Sequence, residues 1–377
     1  MRFLPLVVVL TLMGACQHKP EPADTATGAT GDTNAVDTTA GETADTHDTT
    51  ESADDTTGGD TTADTHETAM DPLCETWGTP LAMGTVGDDT LDEISGIAPS
   101  QQNPGILWVL EDHLGDPQLV ALDTAGDPVG TLIIDGVNNI DWEDLALTRC
   151  ETGWCLWIAD TGNNNFDRTE LPILRVTEPL LTGAVSFTIV TTPETFLVRY
   201  PDEVQDSEGL AITPDGLPLL FTKRDDGVSR VYLDPVLDPV NVTDLVLVDT
   251  ITVTDESNGG SRTTSADMWP DGSRVLVRTY GYLWEYRAVE GVLIGAMDAG
   301  RRVAPYASEP QGESVAYDPA QNGYWQVSEG LDSTLWFTGC ADGLDTGDTG
   351  SDTGADTGED TANDTANDTG EDTDTGT

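Results

Sequence analysis

From about residue 73 to residue 341 the chain is a succession of short apolar runs, rich in branched and aromatic residues, broken by Gly, Pro, Asp and Asn turns. No stretch carries the spacing of an amphipathic helix, so the pattern predicts short antiparallel strands. The runs fall into copies of one unit. First runs are "ISGIAPS" from Ile94, "WEDLALT" from Trp142, "SEGLAIT" from Ser207, "TSADMWP" from Thr264 and "GESVAYD" from Gly312. Each is followed, after a turn, by a second run: "ILWVLED", "CLWIADT", "LLFTKRD", "VLVRTYG" and "YWQVSEG". Third runs are "QLVALDT", "PILRVTE", "SRVYLDP", "YLWEYRA" and "STLWFTG". A fourth ("GTLIID", "FLVRYPD", "VLVDTITV", "RRVAPY") completes the first four copies. Copies start roughly 48 to 65 residues apart, which suits blades with variable outer loops.

The predicted fold is all-β, a five-bladed β-propeller. The fifth copy lacks its fourth run, and "TPLAMGTV", just before the first copy, is placed to supply it, so that an N-terminal strand closes the ring. Six blades are the alternative if the long stretch 177–201 holds another unit.

Composition changes sharply outside this region. Residues 1–16, "MRFLPLVVVLTLMGAC", combine one positive charge, an apolar stretch and a small-residue ending, the pattern of a secretory signal too short to span a membrane as a helix. The ending "LMGAC" resembles a bacterial lipobox, which implies lipidation at Cys16 and anchorage in the cell envelope, at the outer membrane or cell surface. Residues 17–72 and 342–377 are dominated by Asp, Thr, Gly, Ala and Glu, cannot bury a core, and are expected to be a solvated acidic linker and tail. The propeller region, 73–341, is expected to be monomeric.

Of 377 residues, 69 are acidic and 15 are Lys or Arg, a net charge of −54. The propeller region alone carries about −30. With no basic stripe to neutralise phosphates, no nucleic-acid binding is expected. Export makes disulfides the expected state of the cysteines that remain after Cys16. Cys150 and Cys155 flank the tight loop of "CETGWC" and would pair locally; Cys74 and Cys340 would then pair across the whole domain, where a ring would be closed. Zinc is the poorer alternative on spacing and compartment.

Aligned on their first runs, the copies place Ser95, Glu143, Glu208, Ser265 and Glu313 at one level. First strands line a propeller's axis, so three carboxylates and two hydroxyls are expected to converge there. Such carboxylates cannot all stay ionised without a cation, and an oxygen-only set suits calcium. The bland alternative is hydrogen bonding to neighbouring blades and channel water. Second strands end at the edge where first strands begin. Glu111, Asp112, His113, Asp160, Asn163, Lys223, Arg224, Arg278, Tyr280 and Glu329 are therefore expected around one mouth of the channel.

The order Ser, Glu, Glu, Ser, Glu, with "EISGI", "EDLAL", "SEGLA", "LWVLEDHLGD" and "FTKRDD", resembles the five-bladed calcium-activated nucleotidase (apyrase) family over about 90–330. The resemblance implies an axial calcium held by Ser and Glu of successive blades. "DWEDLAL", "ADTGNNN" and "LLFTKRDDGVSRVY" are also similar to bacterial phytase-like or esterase-like propellers. Two functions follow as expectations. One is a calcium-dependent hydrolase of phosphate esters or anhydrides, with Glu111 or Asp112 as general base and Lys223, Arg224 and Arg278 taking the phosphate charge beside Asp160, Tyr280 and Glu329. The other is a non-enzymatic surface propeller with a structural calcium, binding a small anionic ligand or an envelope protein. No G-x-S-x-G, H-E-x-x-H or P-loop motif is present.

Overall fold

The computed structural model describes residues 74–88, 90–112, 115–182, 186–254 and 261–341. Cys16 and His113 lie outside the described residues.

The strands run in chain order around a ring. Strand β1 (Leu81–Thr85) precedes the first blade, which is β2 (Ile94–Pro99), β3 (Ile106–Glu111), β4 (Gln118–Asp123) and β5 (Pro128–Ile134). Blade 2 is β6 (Asp144–Cys150), β7 (Gly153–Ala159) and β8 (Leu171–Thr177); after it come β9 (Phe187–Thr191) and β10 (Glu194–Arg199). Blade 3 is β11 (Ser207–Ile212), β12 (Pro218–Thr222), β13 (Val228–Leu233) and, beyond the two-residue β14 (Thr243–Asp244), β15 (Val246–Thr252). Blade 4 is β16 (Thr263–Met268), β17 (Arg274–Thr279), β18 (Leu283–Arg287) and β19 (Arg301–Val303). Blade 5 is β20 (Gly312–Asp318), β21 (Gly323–Ser328) and β22 (Thr334–Gly339).

Each blade is an antiparallel meander from the axis outward, and β1 pairs antiparallel with β22 as the fourth strand of blade 5. The N-terminal strand therefore closes the ring. The stretch 177–201 does not form a sixth blade. Its β10 is the fourth strand of blade 2, and β9 crosses back to run parallel to β5 as a fifth strand on blade 1. The short β14 extends blade 2 in the same parallel way.

Blades pack face to face, so alternate residues of one strand point to different neighbours. In β12, Leu219 and Phe221 join the core shared with blade 4, whereas Leu220 joins the core shared with blade 2. Five buried clusters result, one between each adjacent pair of blades; the pair formed by blades 5 and 1 includes Trp325, Val327, Ile97 and Val109. Burial on both faces is why inner strands read as nearly continuous apolar runs.

Both expected disulfides are present. Cys74–Cys340 spans 266 positions with a Cα–Cα distance of 5.3 Å, and Cys150–Cys155 closes the β6–β7 hairpin at 5.8 Å. The long-range bond sits beside a second fastening. Glu285, fully buried in β18, accepts from Trp77 Nε1 (3.1 Å), Tyr317 OH (3.3 Å), Arg274 Nη1 (3.4 Å), Arg287 Nε (3.0 Å) and Arg302 Nε. The same arginines reach the incoming chain: Arg274 Nη1 donates to the Cys74 carbonyl (2.6 Å), and Arg287 Nη2 and Arg302 Nη1 donate to the Glu75 carbonyl (3.0 and 3.2 Å).

Candidate metal centre

The inner strands begin at one mouth of the channel, and four of the five begin with a bulge. The residues left unpaired are Ser95, Glu208, Thr264 and Glu313. A bulge re-aims its extra side chain, here away from the ladder. In blade 2 Glu143 holds the equivalent place, its N–H bonded to the Ala159 carbonyl (2.8 Å). The expected ring is thus corrected at one position: Thr264, not Ser265, is the blade 4 counterpart. Thr264 spends its hydroxyl on the Gly312 carbonyl (3.0 Å).

Ser265 lies one step deeper and donates to Asp144 Oδ1 (3.0 Å). Asp144 is a residue the sequence pattern did not single out. Fully buried, it also accepts from the N–H groups of Leu145 (2.9 Å), Leu210 (2.7 Å) and Ala266 (2.9 Å), so one carboxylate ties blades 2, 3 and 4 together. Burial pushes its carboxyl well up, and the four donated bonds pull against that. A signal was available in the sequence: the matching positions in the other copies are the small residues Gly96, Gly209, Ser265 and Ser314. Gly96 is held small by the approach of blade 2, since a Cβ there would meet Leu145 N at 2.7 Å.

Above this plug the carboxylates gather. Among the described residues, two groups have oxygens mutually within 4.8 Å: Asp112, Asp141 and Glu143, and Glu143, Asp206 and Glu208. Glu143 belongs to both. It is only 2% exposed, and its Oε1 has no hydrogen-bond partner. Gly162 makes the room, because a Cβ there would fall 2.0 Å from Glu143 Oε1 and 2.5 Å from Asp141 Oδ2. Asp206 is fixed by the Asn163 N–H (2.7 Å), and Asn163 in turn by the Gln205 and Arg168 carbonyls. Burial first, then the charges of Glu208, Asp112 and Asp141, push the Glu143 carboxyl well above the ordinary range; burial does the same to Glu208. Glu313 is pushed up to about 8 by burial and by Glu329. These two acids share the Gln311 amide, at 2.9 and 2.5 Å, and belong to neither of the two carboxylate groups, although the Glu313 charge is felt by Glu208. Ser95 spends its hydroxyl on the Glu143 carbonyl (2.5 Å). Of the five residues expected on the axis, Glu143 and Glu208 therefore meet in a metal-competent group; Asp112, Asp141 and Asp206 complete the two groups.

The expected anion-binding cations do not share one open site. Lys223 Nζ is bonded to Glu208 Oε1 and stands 5.3 Å from the Tyr280 ring centroid. Burial works to lower its ammonium, but the Glu208 charge and hydrogen bond hold it above the ordinary lysine value. Arg224 turns outward to Asp226 (2.7 Å). Arg278 is 1% exposed and paired with the buried Glu309 (2.7 Å) between blades 4 and 5. Asp160 is paired with Arg168 (2.7 Å). Glu111, pushed up to about 7 by burial, accepts weakly from the Glu93 N–H (3.3 Å) and lies beside the first carboxylate group. In sequence, the charges of "FTKRDD" look like a ligand funnel; in three dimensions they are mostly neutralised by neighbouring acids.

No protein-family profile and no curated protein matches this sequence. Solved structures with a similar chain trace include the PQQ-bound form of aldose sugar dehydrogenase from Streptomyces coelicolor, 12% identical over 69% of this chain and 98% of that one, with a TM-score of 0.42. Another is a chain of the mitotic checkpoint complex, 13% identical over 64% of this chain and 60% of that one, with a TM-score of 0.31. What the chain itself shows is a five-bladed β-propeller with two disulfides and buried acidic groups able to hold a metal ion at one mouth of its channel.

Proposed function

We propose that this chain is a calcium-binding propeller of the bacterial cell envelope, anchored by lipid at Cys16 and acting as a binding module rather than as a catalyst. The observation that carries the reading is Glu143 Oε1, buried without a hydrogen-bond partner on a carboxylate that groups with those of Asp112 and Asp141. A buried carboxylate oxygen left unpaired is costly, and a cation is the partner that removes the cost. Carboxylates in loose arrangement suit calcium better than the stricter octahedron of magnesium. The ion would also serve as the positive charge that attracts an anionic ligand or an acidic patch of an envelope protein, completing its coordination with their oxygens. A hydrolase of phosphate esters or anhydrides needs cations open to the phosphate, and the pairing of Lys223, Arg224 and Arg278 argues for binding instead.

Thermal unfolding tests the ion. Ligand present at 10 to 100 times its Kd stabilises by about 1.4 to 2.7 kcal/mol, so 10 mM calcium should raise Tm by roughly 3 to 10 °C over chelator. Glu143→Gln should abolish the rise while leaving the chelated Tm within a few degrees. Equal Tm for the wild type in calcium and in chelator would refute the reading. Chelator-sensitive phosphate release from a nucleotide panel would restore the hydrolase in its place.

A further inference from the structure

The two carboxylate groups share Glu143, yet they are not equivalent. In the group formed by Glu143, Asp206 and Glu208, a positive charge is already seated: Lys223 Nζ on Glu208 Oε1. Its placement is built in from several sides. The Lys223 N–H donates to the Asp206 carbonyl (2.9 Å), which fixes the end of β12 beside this group. The Tyr280 ring lies 5.3 Å from the ammonium, close enough for a cation–π contact on that side. The lysine side chain is 13% exposed and Glu208 3%. Other basic side chains near this mouth are committed elsewhere: Arg168 to Asp160, Arg224 to Asp226 and Arg262 to Asp225. Glu143 Oε1, on the carboxylate common to both groups, is buried without a hydrogen-bond partner.

We infer that Lys223 is a tethered cation occupying the second of two adjacent cation positions, so that the mouth takes one divalent ion beside Lys223 and two when the lysine charge is removed. The inference rests on the reading of Asp112, Asp141 and Glu143 as a divalent-cation position. An ammonium neutralises one unit of charge without needing ions from solution. It also repels a divalent ion from the Glu208 side, which confines the ion to the Asp112 side. A lysine here thus sets both how many ions enter and where the ion sits.

The test counts tightly bound calcium per full-length chain by equilibrium dialysis, so that weak binding by the acidic segments is common to all variants. Lys223→Met should bind one more ion than wild type, and Lys223→Gln, which keeps a donor for Glu208, should do the same. Adding Glu208→Gln to either should remove the extra ion. If both lysine variants bind the wild-type number, the inference fails. It also fails if the extra ion survives Glu208→Gln, because the ion then sits elsewhere. Glu143→Gln in the wild-type background separates the two claims: an unchanged count sinks the first position, whatever the lysine variants show. A gain in the lysine variants alone would leave the second position standing.

Discussion

Glu285→Gln should cost the propeller about 3 to 5 kcal/mol, the range for removing one partner of a buried ionic cluster. Arg274, Arg287 and Arg302 converge on this one carboxylate, and Trp77 and Tyr317 complete its shell. Glutamine keeps the shape but takes away the charge on which three guanidinium groups converge, leaving Arg287 its second partner Glu75, and its amide turns a donor towards donors. The damage spreads, because these arginines hold the carbonyls of Cys74 and Glu75 and so fasten the segment that leads to the closing strand. Urea unfolding measures the loss, with exposed Glu290→Gln as a control expected to stay within about 0.5 kcal/mol. A loss below about 1 kcal/mol for Glu285→Gln would mean that the arginines find equivalent partners without it.

The sequence made the ring legible because blade strands are buried on both faces. "LLFTK" and "VLVRT" are strong apolar runs for that reason, and the missing fourth run of the last copy pointed to "TPLAMGTV" as the closing strand. The outermost strands were harder to read. Strand β9 alternates between half-buried and exposed residues, with Val190 62% exposed, and its parallel partner β5 lies far earlier in the chain, Gly130 pairing with Phe187. A weak edge strand joined across such a distance leaves no local signature, so the stretch left a sixth blade open as the alternative to five.

The site was legible in part. Glu143 and Glu208 were placed by repeat alignment, which carries position along a strand but not register. The bulge in blade 4 falls at Thr264, and a one-residue offset sends Ser265 into the plug with Asp144 instead of to the mouth. Asp141 and Asp206 lie just before the inner strands, in connections where alignment between copies has nothing to hold on to. Pairing was the least readable feature. Arg278 and Glu309 are 31 positions apart and meet because the β19–β20 connection, which carries Glu309, passes beside the end of β17. An arginine at the end of a second strand looks the same in sequence whether it faces a ligand or a buried glutamate.

Opening the long-range disulfide should be the most damaging change of all. Cys74–Cys340 encloses the whole propeller, a sequence separation of 266. The loop-entropy account assigns about 5 kcal/mol to a cross-link over so long a loop, because the unfolded chain gains the most freedom when it is released. In a β-propeller the bond has a second role. It joins the residue beside β22 to the segment leading into β1, and β1 is held to blade 5 by one antiparallel edge, four residue pairs long and interrupted by a bulge. Without the covalent link, opening of the ring is resisted by that edge, the backbone bonds beside it, the Glu285 cluster and the core between blades 5 and 1. Cys74→Ser with Cys340→Ser should therefore lower Tm by roughly 10 to 20 °C, at 2 to 4 °C per kcal/mol for a domain of this size. Cys150→Ser with Cys155→Ser releases only a hairpin whose strands already pair from Asp144↔Ala159 to Cys150↔Gly153, and should cost less than half as much. Calorimetry on the two double variants, under chelator so that ion binding is equal, decides between them. If opening the hairpin bond proved the more costly, ring closure would have to rest on strand pairing and the arginine cluster, and the disulfide would be a passive neighbour of both.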